Sequence, residues 1–293
     1  MDSIHETTGT HCRYLNESYF SQLYLAFIAA FSDYVMPFDL TEEQFQNHIN
    51  LNAVDLGASA GWFDGGRLVG FTLNGFGDWN GCRTVYDAGT GVLPEYRRRG
   101  LSRRMFELMM SEFCLSGCRQ YLLEVITTNA KAIALYKGLD FAITRTLSVL
   151  HCPEIIDLAN AAGPEIELGD IDVPDWQQLC TFWDGEPSWQ NSTSAIDRSF
   201  GNRLFTGAFI AGRCVGYITH SKISGRISQI AVDPAYRRRG IGTKLLGSML
   251  TATDAEFVPQ VINIDRSIDS AMTFFENRGF TTKISQHEML RPI

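Results

Sequence analysis

The chain has 293 residues, 45% of them hydrophobic and 20% charged, a composition typical of folded globular proteins that argues against a disordered or fibrous chain. Its net charge of −8 argues against a protein that binds nucleic acid mainly through phosphates, so we expect no nucleic-acid partner. At roughly 100–200 residues per domain, the length predicts two domains or one large domain with insertions.

The cysteines and the apolar segments indicate the compartment. The seven cysteines are scattered, with no CxxC pair and no zinc spacing, which predicts reduced thiols and no metal. The start, MDSIHETTGTH, lacks the basic and apolar regions of a secretory signal. The apolar run Leu23 to Phe31 is shorter than the roughly 20 residues of a membrane span and predicts an amphipathic core helix. We expect a cytoplasmic protein with no membrane partner.

The first half of the chain then alternates strand and helix patterns. Runs with strand chemistry at Arg67 to Phe76 and Arg83 to Val92 follow a Gly65-Gly66 turn. An Arg-rich turn and an apolar stripe at helical spacing come next. A short strand at Tyr121 to Ile126 and a second helix that ends near Phe141 complete the half.

The second half repeats this order. Residues 92–100 read VLPEYRRRG and residues 232–240 read VDPAYRRRG, identical at seven of nine positions. Strand patterns precede the second copy, at Arg213 to Ile223 and Arg226 to Val232, and a helix stripe and the strand Val261 to Ile264 follow it. The alternation predicts an α/β fold in which each half has a mixed sheet flanked by helices.

The domain boundary is predicted between the two repeats. Residues 152–164, CPEIIDLANAAGP, have prolines near both ends and no strand pattern. The sequence therefore predicts a first domain at 1–152, a linker at 153–164 and a second domain at 165–293.

The arginine turn has the chemistry of an anion site. Three arginines and a glycine between a strand and a helix N-terminus bring backbone N–H groups, the helix dipole and guanidinium charge to one point, which suits a pyrophosphate. A solvated basic face and a nucleic-acid patch are the alternatives. Recurrence at the same junction, with the same Val, Pro, Tyr and Gly, favours the anion site.

These motifs resemble the acyl-CoA signature R-x-x-G-x-G/A of the GNAT superfamily of N-acetyltransferases. Arg237, Gly240 and Gly242 match it fully, whereas the first copy has Ser102 in the last place. The resemblance implies two tandem GNAT domains, each with a mainly antiparallel twisted sheet and a splayed strand pair that holds acetyl-CoA, the acyl donor. It assigns cofactor contacts to Gly91, Val92, Arg97, Arg98, Arg99, Gly100, Leu101, Ser102, Arg103, Asn129, Val232, Arg237, Arg238, Arg239, Gly240, Ile241, Gly242 and Thr243.

The first half also resembles GNAT enzymes that acetylate protein N-termini. Residues 123–141 read LEVITTNAKAIALYKGLDF, which matches L-E-V-x-x-x-N-x-x-A-x-x-L-Y. By this resemblance Glu124 is the general base, Asn129 contacts the CoA arm and Tyr136 is the general acid. The alternatives are a solvent-facing strand residue, a helix N-cap and a core aromatic residue, respectively.

The second half lacks these groups. Aligned at an offset of 139, it has Asn263, Ile268 and Phe275 at the three places, and none of them can transfer a proton. The sequence thus predicts a catalytic first domain and a second domain that keeps only the CoA turn. The leading hypothesis is direct transfer of acetyl to a primary amine in a ternary complex. The alternative is a non-catalytic or regulatory CoA-binding protein.

The acceptor is predicted only by class, as a small-molecule or peptide amine. The family's acceptor cleft maps to roughly Tyr19 to Asn50, and Asp87, Trp62 and Trp79 are further candidates. The polar candidates within the cleft are Asp33, Tyr34, Asp39, Glu42 and Glu43. Most of these residues have an alternative interpretation as exposed charges and core aromatics. The two halves predict either a monomeric pseudo-dimer or a homodimer.

Overall fold

The chain divides into two compact units. The structure is a computed structural model and describes residues 6–7, 9–34, 40–153, 166–222, 224–252 and 257–293. Residues 1–144 and 288–293 form the first unit, and residues 145–287 form the second. Each unit has a sheet flanked by helices, as the alternating patterns predict.

The first unit is built on a mainly antiparallel sheet. Its strands are β1 (Glu6–Thr7), β2 (Thr10–Tyr14), β3 (Ala60–Asp64), β4 (Arg67–Trp79), β5 (Cys82–Val92) and β6 (Gln120–Ile126). Neighbours in sequence are neighbours in the sheet; the pairs from β1 to β5 are antiparallel, and β5 and β6 run parallel. Its helices are α1 (Phe20–Phe31), α2 (Glu42–Leu51), α3 (Leu101–Leu115) and α4 (Ala130–Lys137).

Aromatic residues form the core under α1 and α2. The stripe predicted at Leu23 to Phe31 lies within α1, and Phe27 packs against Phe45 of α2 and Phe71 of β4 at ring centroid distances of 4.9 and 5.7 Å. A reciprocal capping box between Thr41 and Gln44 fixes the start of α2. These contacts and the capping box therefore hold both helices against the sheet.

Strands β5 and β6 separate partway along their length. The first pair of residues is Thr84 with Gln120, and the last is Asp87 with Leu123; beyond that point the two strands are no longer paired. On the other side of β5, Leu73 pairs with Gly89 and Asn74 with Asp87, which leaves Ala88 as a β-bulge. The bulge bends β5 away from β6, and the expected splayed pair is confirmed.

The second unit repeats this plan. Its strands include most of β7 (Ala142–His151) and β13 (Thr281–Pro292), together with β8 (Glu167–Asp170), β9 (Arg203–Ile210), β10 (Arg213–Ser221), β11 (Arg226–Val232) and β12 (Gln260–Asp265). Its helices are α5 (Trp176–Leu179), α6 (Thr193–Arg198), α7 (Ile241–Ala252) and α8 (Asp269–Glu276). The parallel pair is β11 and β12.

The bulge and the separation recur in the second unit. Thr219 pairs with Gln229 and His220 with Ile227, so Ser228 is the extra residue, at the position of Ala88 in the first unit. Pairing of β11 with β12 covers only Arg226 to Ile227. The free edge therefore begins at the same point of both repeats.

The two units differ in extent from the domains predicted from sequence. Residues 145–151, placed in the first domain by the sequence, pair with β12 inside the second unit. At the C-terminus, the Ile293 N–H donates to the Arg119 carbonyl inside the first unit, at 2.9 Å. Each repeat thus contributes its last strand segment to the other unit, which a search for linkers does not detect. The predicted linker at 153–164 lies outside the described residues except for position 153.

One glycine tests the packing that supports β4. A Cβ at Gly75 would lie 1.9 Å from the backbone oxygen of Asn52, so the Gly75→Ala change forces the backbone after α2 away from the sheet. We expect a loss of about 3 kcal/mol in the free energy of unfolding, measured with urea. The control is Gly201→Ala, where a Cβ meets nothing within 4 Å, and equal effects of the two changes would contradict this packing.

Candidate functional site

Each arginine turn joins the free strand edge to a helix. A short 3-10 turn follows β5 and β11, and then the middle arginine and the glycine of each motif take positive φ values. The φ angles are 62° at Arg98, 76° at Gly100, 64° at Arg238 and 83° at Gly240. Gly100 is the N-cap of α3, and it has no side chain that could bind the first N–H groups of the helix. The turn therefore presents the first N–H groups of the helix beside an exposed arginine, an arrangement suited to phosphate oxygens.

The first arginine of each triplet is engaged by the protein itself. The Arg97 Nε donates to the Val92 carbonyl at 3.1 Å, and its Nη2 donates to the Ala30 carbonyl at 3.0 Å. Its two terminal nitrogens also donate to the two carboxylate oxygens of Asp33, at 2.6 and 2.7 Å. These bonds, which we call the arginine clamp, tie the end of β5 to the end of α1.

The clamp is repeated in the second unit. The Arg237 Nε donates to the Val232 carbonyl at 3.0 Å, Nη2 to the Phe182 carbonyl at 2.8 Å, and Nη1 to Asp184 at 2.7 Å. The guanidinium groups of Arg97 and Arg237, predicted to contact the cofactor, thus bind acceptors within the protein. The sequence signal for the clamp was present as an acidic residue upstream in each half, but nothing in the spacing linked it to the turn.

The second and third arginines of each triplet have different environments, and these environments are the same in both units. Arg99 lies over the Tyr96 ring at 4.9 Å and donates to the Glu95 carbonyl. Arg239 lies over the Tyr236 ring at 5.1 Å in the same manner. The middle arginines, Arg98 and Arg238, are exposed. They are the side chains of each triplet best placed to meet an anion at the turn.

Asp33 was predicted as an acceptor contact, and the structure places it in the clamp instead. Its hydrogen bond from Arg97 lowers the pKa of the Asp33 carboxyl below its usual value. The bidentate pair occupies both carboxylate oxygens. Asp33 therefore positions the turn rather than an amine.

Tyr136 and Asp87 form a buried pair beside the free edge of β5. The Tyr136 hydroxyl donates to Asp87 at 3.4 Å, a long hydrogen bond, and Asp87 also accepts from the Gly89 N–H at 2.9 Å and the Thr90 hydroxyl at 2.9 Å. Burial raises the pKa of Asp87 to about 6. Burial, and next the charge of Asp87, raise the pKa of Tyr136 well above its usual value. Protein donors already engage Asp87, so it is poorly placed for its predicted role of holding a cationic amine.

Glu124 lies on the other face of the sheet from this pair. Leu123 is the residue of β6 that pairs with Asp87, and side chains alternate along a strand. Glu124, the next residue, is half-buried and faces the opposite side. The predicted base and the predicted acid thus approach the separation of β5 and β6 from opposite faces.

Asn129 and Tyr34 meet next to the pair. The Asn129 side chain caps α4 by accepting from the Ala132 N–H at 3.1 Å, and its amide also donates to the Tyr34 hydroxyl at 3.4 Å. The N-cap interpretation of Asn129 is therefore correct, and it leaves the contact to a CoA arm a prediction. Tyr34 is partly buried, and burial raises its pKa.

The remaining acceptor candidates have simpler roles. Trp62 and Trp79 are core residues, 0% and 6% exposed, and offer no face to an amine. Glu42 and Glu43 are exposed in the first turn of α2. Asp39 lies outside the described residues.

Sequence reasoning missed His48 of α2. Its Nε2 lies 2.8 Å from the carbonyl of Ala88, the bulge residue, and its Nδ1 lies 3.2 Å from the Asn52 amide nitrogen. In this arrangement Nε2 donates to the Ala88 carbonyl and Nδ1 accepts from the Asn52 amide, which corresponds to the neutral imidazole with its proton on Nε2. No motif marks this histidine, and only the fold brings it to the bulge.

The second unit has a cavity of about 960 Å³ at its turn. It is lined by the start of α7 and by the facing edges of β11 and β12. By strand register, Ile262 follows the paired Val261 just as Glu124 follows Leu123. Asn263, the counterpart chosen by sequence alignment, is one residue further on, at a φ of 54°, and a register shift in β12 explains the offset. Phe275, at the place of Tyr136, is buried.

Two negative findings apply to the part of the chain that the structure describes. No helix there is both long enough and apolar enough to cross a membrane. In the same ranges no three His, Cys, Asp or Glu side chains are grouped to hold a metal ion.

Family models match both halves of the chain. The acetyltransferase (GNAT) family model matches residues 20–141, and an acetyltransferase (GNAT) domain model matches residues 185–289. The chain therefore belongs to the GNAT acetyltransferase family and carries two GNAT domains in tandem. The family predicted from the two arginine motifs is confirmed.

Curated relatives match short stretches. An uncharacterized protein of Mycobacterium leprae is 31% identical over 107 residues, 34% of this chain and 29% of that protein. The mouse thialysine N-epsilon-acetyltransferase is 35% identical over 77 residues, 26% and 45% of the two chains. The Escherichia coli K12 ribosomal protein bS18-alanine N-acetyltransferase is 44% identical over 50 residues, 17% and 34%. This chain thus spans less than half the length of each of these relatives.

A solved structure matches nearly the whole chain. A tandem GNAT protein from the clavulanic acid biosynthesis pathway superposes with a TM-score of 0.74 over 97% of this chain and 98% of that chain. At 14% sequence identity, this likeness supports the fold alone.

The arginine clamp can be tested within one triplet. A lysine at position 97 cannot supply the three nitrogens that bind Val92, Ala30 and Asp33, so Arg97→Lys is expected to lower the free energy of unfolding by about 1–2 kcal/mol. Arg98→Lys, at the exposed neighbour, is the control, with an expected change below about 0.5 kcal/mol. Urea unfolding measures both, and a larger effect at position 98 would contradict the clamp.

Proposed function

We propose that the protein is an acetyl-CoA-dependent N-acetyltransferase that transfers acetyl to a primary amine in its first unit. One observation carries the proposal. An arginine turn at a helix N-terminus, a carboxylate on one face and a buried tyrosine on the other converge where β5 and β6 separate. The second unit has the turn without the carboxylate or the tyrosine.

The residues of the first turn fit a CoA pyrophosphate. A Cβ built at Gly100 meets nothing within 4 Å, so the N-terminus of α3 is open to a ligand. Arg98 adds an exposed positive charge, and the edge of β5 beyond Asp87 can take an extended arm as an added strand. When bound, acetyl-CoA supplies an acetyl thioester that an amine can attack directly.

Glu124 is the proposed proton acceptor. An amine attacks only in its neutral form, and the proton lost by the acceptor ammonium needs a base within reach, directly or through one water. A half-buried carboxylate on β6 at the strand separation meets that need. Glu124 lies on the face opposite Tyr136, so the base acts on the acceptor side of the separation.

Tyr136 is the proposed proton donor. Its raised pKa keeps the hydroxyl protonated at neutral pH, so a proton is available for the leaving thiolate as the C–S bond breaks. Asp87 orients this hydroxyl through their hydrogen bond. Asp87 is thus a positioning residue rather than a contact to the amine.

The acceptor is proposed as a primary amine on a small molecule or a peptide. The names of two relatives include an amino-acid side-chain amine, in thialysine, and an alanine of ribosomal protein bS18. Tyr34, held by Asn129 next to the pair of Tyr136 and Asp87, is the acceptor candidate that we retain for a contact to the amine.

Product formation tests the proposal. We would incubate the protein with acetyl-CoA and a panel of thialysine, polyamines and peptides with N-terminal alanine, and detect acetylated amine by mass spectrometry. Glu124→Gln and Tyr136→Phe are each expected to lower turnover by about 100-fold. Tyr14→Phe, on β2, is the matched control. Binding of acetyl-CoA without product from any amine, or full activity of Tyr136→Phe, would contradict the proposal.

The burial of Asp87 predicts a pH dependence of stability. Its folded-state pKa of about 6 lies above the usual 3.8, so the stability contributed by the protonated carboxyl is present below pH 3.8 and is lost as the pH rises through about 6. Relative to Asp87→Asn, the free energy of unfolding of the natural protein should fall by about 2 kcal/mol between pH 4 and pH 7. Urea unfolding at both pH values measures this, and parallel curves for the two proteins would contradict it.

A further inference from the structure

The two units differ at the first residue after the bulge. In the first unit this residue is Gly89, which has no side chain, and in the second unit it is Gln229. Both lie where the parallel strand pair separates. The first unit therefore leaves this point of the sheet open, whereas the second fills it with an amide.

The Gln229 side chain is buried and held at both ends. It is 7% exposed, its Nε2 donates to the Asn191 carbonyl at 2.5 Å, and its Oε1 accepts from the Tyr217 hydroxyl at 2.6 Å. The Trp183 indole donates in turn to the Tyr217 oxygen at 2.6 Å. This chain of bonds fixes the amide in one orientation.

Asn191 completes a link between the separated strands. It lies in the short 3-10 turn Trp189–Asn191, is 3% exposed, and donates from Nδ2 to the Ile262 carbonyl of β12 at 2.7 Å. Gln229 of β11 and Ile262 of β12 are thus joined through one buried asparagine. We call these two side chains the amide bridge.

The amide bridge also offers a polar atom to the cavity. Asn191 lines the 960 Å³ cavity, and its buried Oδ1 has no hydrogen-bond partner among the described residues. A buried acceptor without a donor is costly unless a ligand or water satisfies it. An N–H group in the cavity would do so, and the arm of CoA contains two amide N–H groups.

We propose that the second unit holds a CoA thioester in a site closed to amines, so that this ligand is retained and not consumed. The proposal rests on the proposed function only for its ligand class. Pyrophosphate at the second turn would place an extended arm along the free edge from Ser228 to Val232, at about 3.3 Å per residue. Its thioester end then lies at the amide bridge, whose side chains block approach from the other face.

The side chains around the separation agree with a retained ligand. Ile262 and Phe275 stand where the first unit has Glu124 and Tyr136, so the second unit lacks both proton-transfer groups proposed for the first. In addition, the amide bridge sterically blocks the approach of an amine. The occupancy of the second site would then follow the concentration of acyl-CoA without consuming the ligand.

Hydroxylamine tests whether the site is closed, because it needs no knowledge of the acceptor. It attacks the thioester carbonyl, forms a C–N bond, breaks the C–S bond, and its proton goes to the thiolate, which leaves as CoA. The experiment uses the full chain with Arg98→Glu to disable the first turn, in excess over acetyl-CoA, with binding followed by calorimetry. We expect the bound thioester to react at least about tenfold more slowly than free acetyl-CoA.

Two variants of the Arg98→Glu protein test whether the protection of the thioester comes from the amide bridge or from burial in the cavity as such. Gln229→Gly, which copies Gly89, and Asn191→Ala should each return the reaction to within about threefold of the free rate at saturating protein. Asn191→Ala should also weaken binding by about tenfold, because an acceptor for the arm is lost. Gln190→Ala, in the same short turn, is the matched control and should keep the protection.

Three outcomes would overturn the proposal. They are no binding of acetyl-CoA to the Arg98→Glu protein, an unprotected bound thioester, or protection that persists in both bridge variants. Either variant alone decides the question if the other fails to fold by circular dichroism. A failure of the proposed acetyl transfer would appear instead as no acetylated amine from the natural protein, and it would leave the hydroxylamine result unchanged.

Discussion

Both units depend on the arginine clamp. In each, one guanidinium binds the last carbonyl of the strand, a carbonyl of the preceding helical segment and an aspartate, Asp33 or Asp184. These bonds let the first arginine of the triplet hold the turn. The second arginine, Arg98 or Arg238, has a positive φ, and the N–H groups at the helix N-terminus are left for a ligand. A bidentate fork suits this role better than a lysine does, since it binds several acceptors in one plane. The clamp therefore positions the proposed anion site through interactions within the protein.

A common frame has allowed the two units to diverge at a few positions. The bulge and the separated strands recur, but Gly89 is replaced by Gln229 and Tyr136 by Phe275. In the first unit the separation is flanked by a carboxylate and a tyrosine, and in the second by the amide bridge. Family membership in both halves explains the shared frame, and these substitutions support one reactive site and one retaining site.

Repetition made the fold predictable from sequence, because two copies of VxPxYRRRG fixed the strand, turn and helix order in each half. The separated strands followed from family resemblance, but the contacts within the site did not. The sequence predicts Asp33 as an acceptor contact because a carboxylate in sequence carries no sign of its partner, Arg97, 64 residues away. The exchanged strand segments and the register shift at Asn263 depend on long-range pairing, and no local pattern encodes either.

Calorimetric titration with acetyl-CoA decides whether both turns bind this ligand independently, as we propose. We expect two sites in the natural protein and one in each of the matched charge reversals, Arg98→Glu and Arg238→Glu, because a carboxylate at the turn repels the pyrophosphate. A single site in the natural protein, or loss of both sites through one reversal, would contradict it.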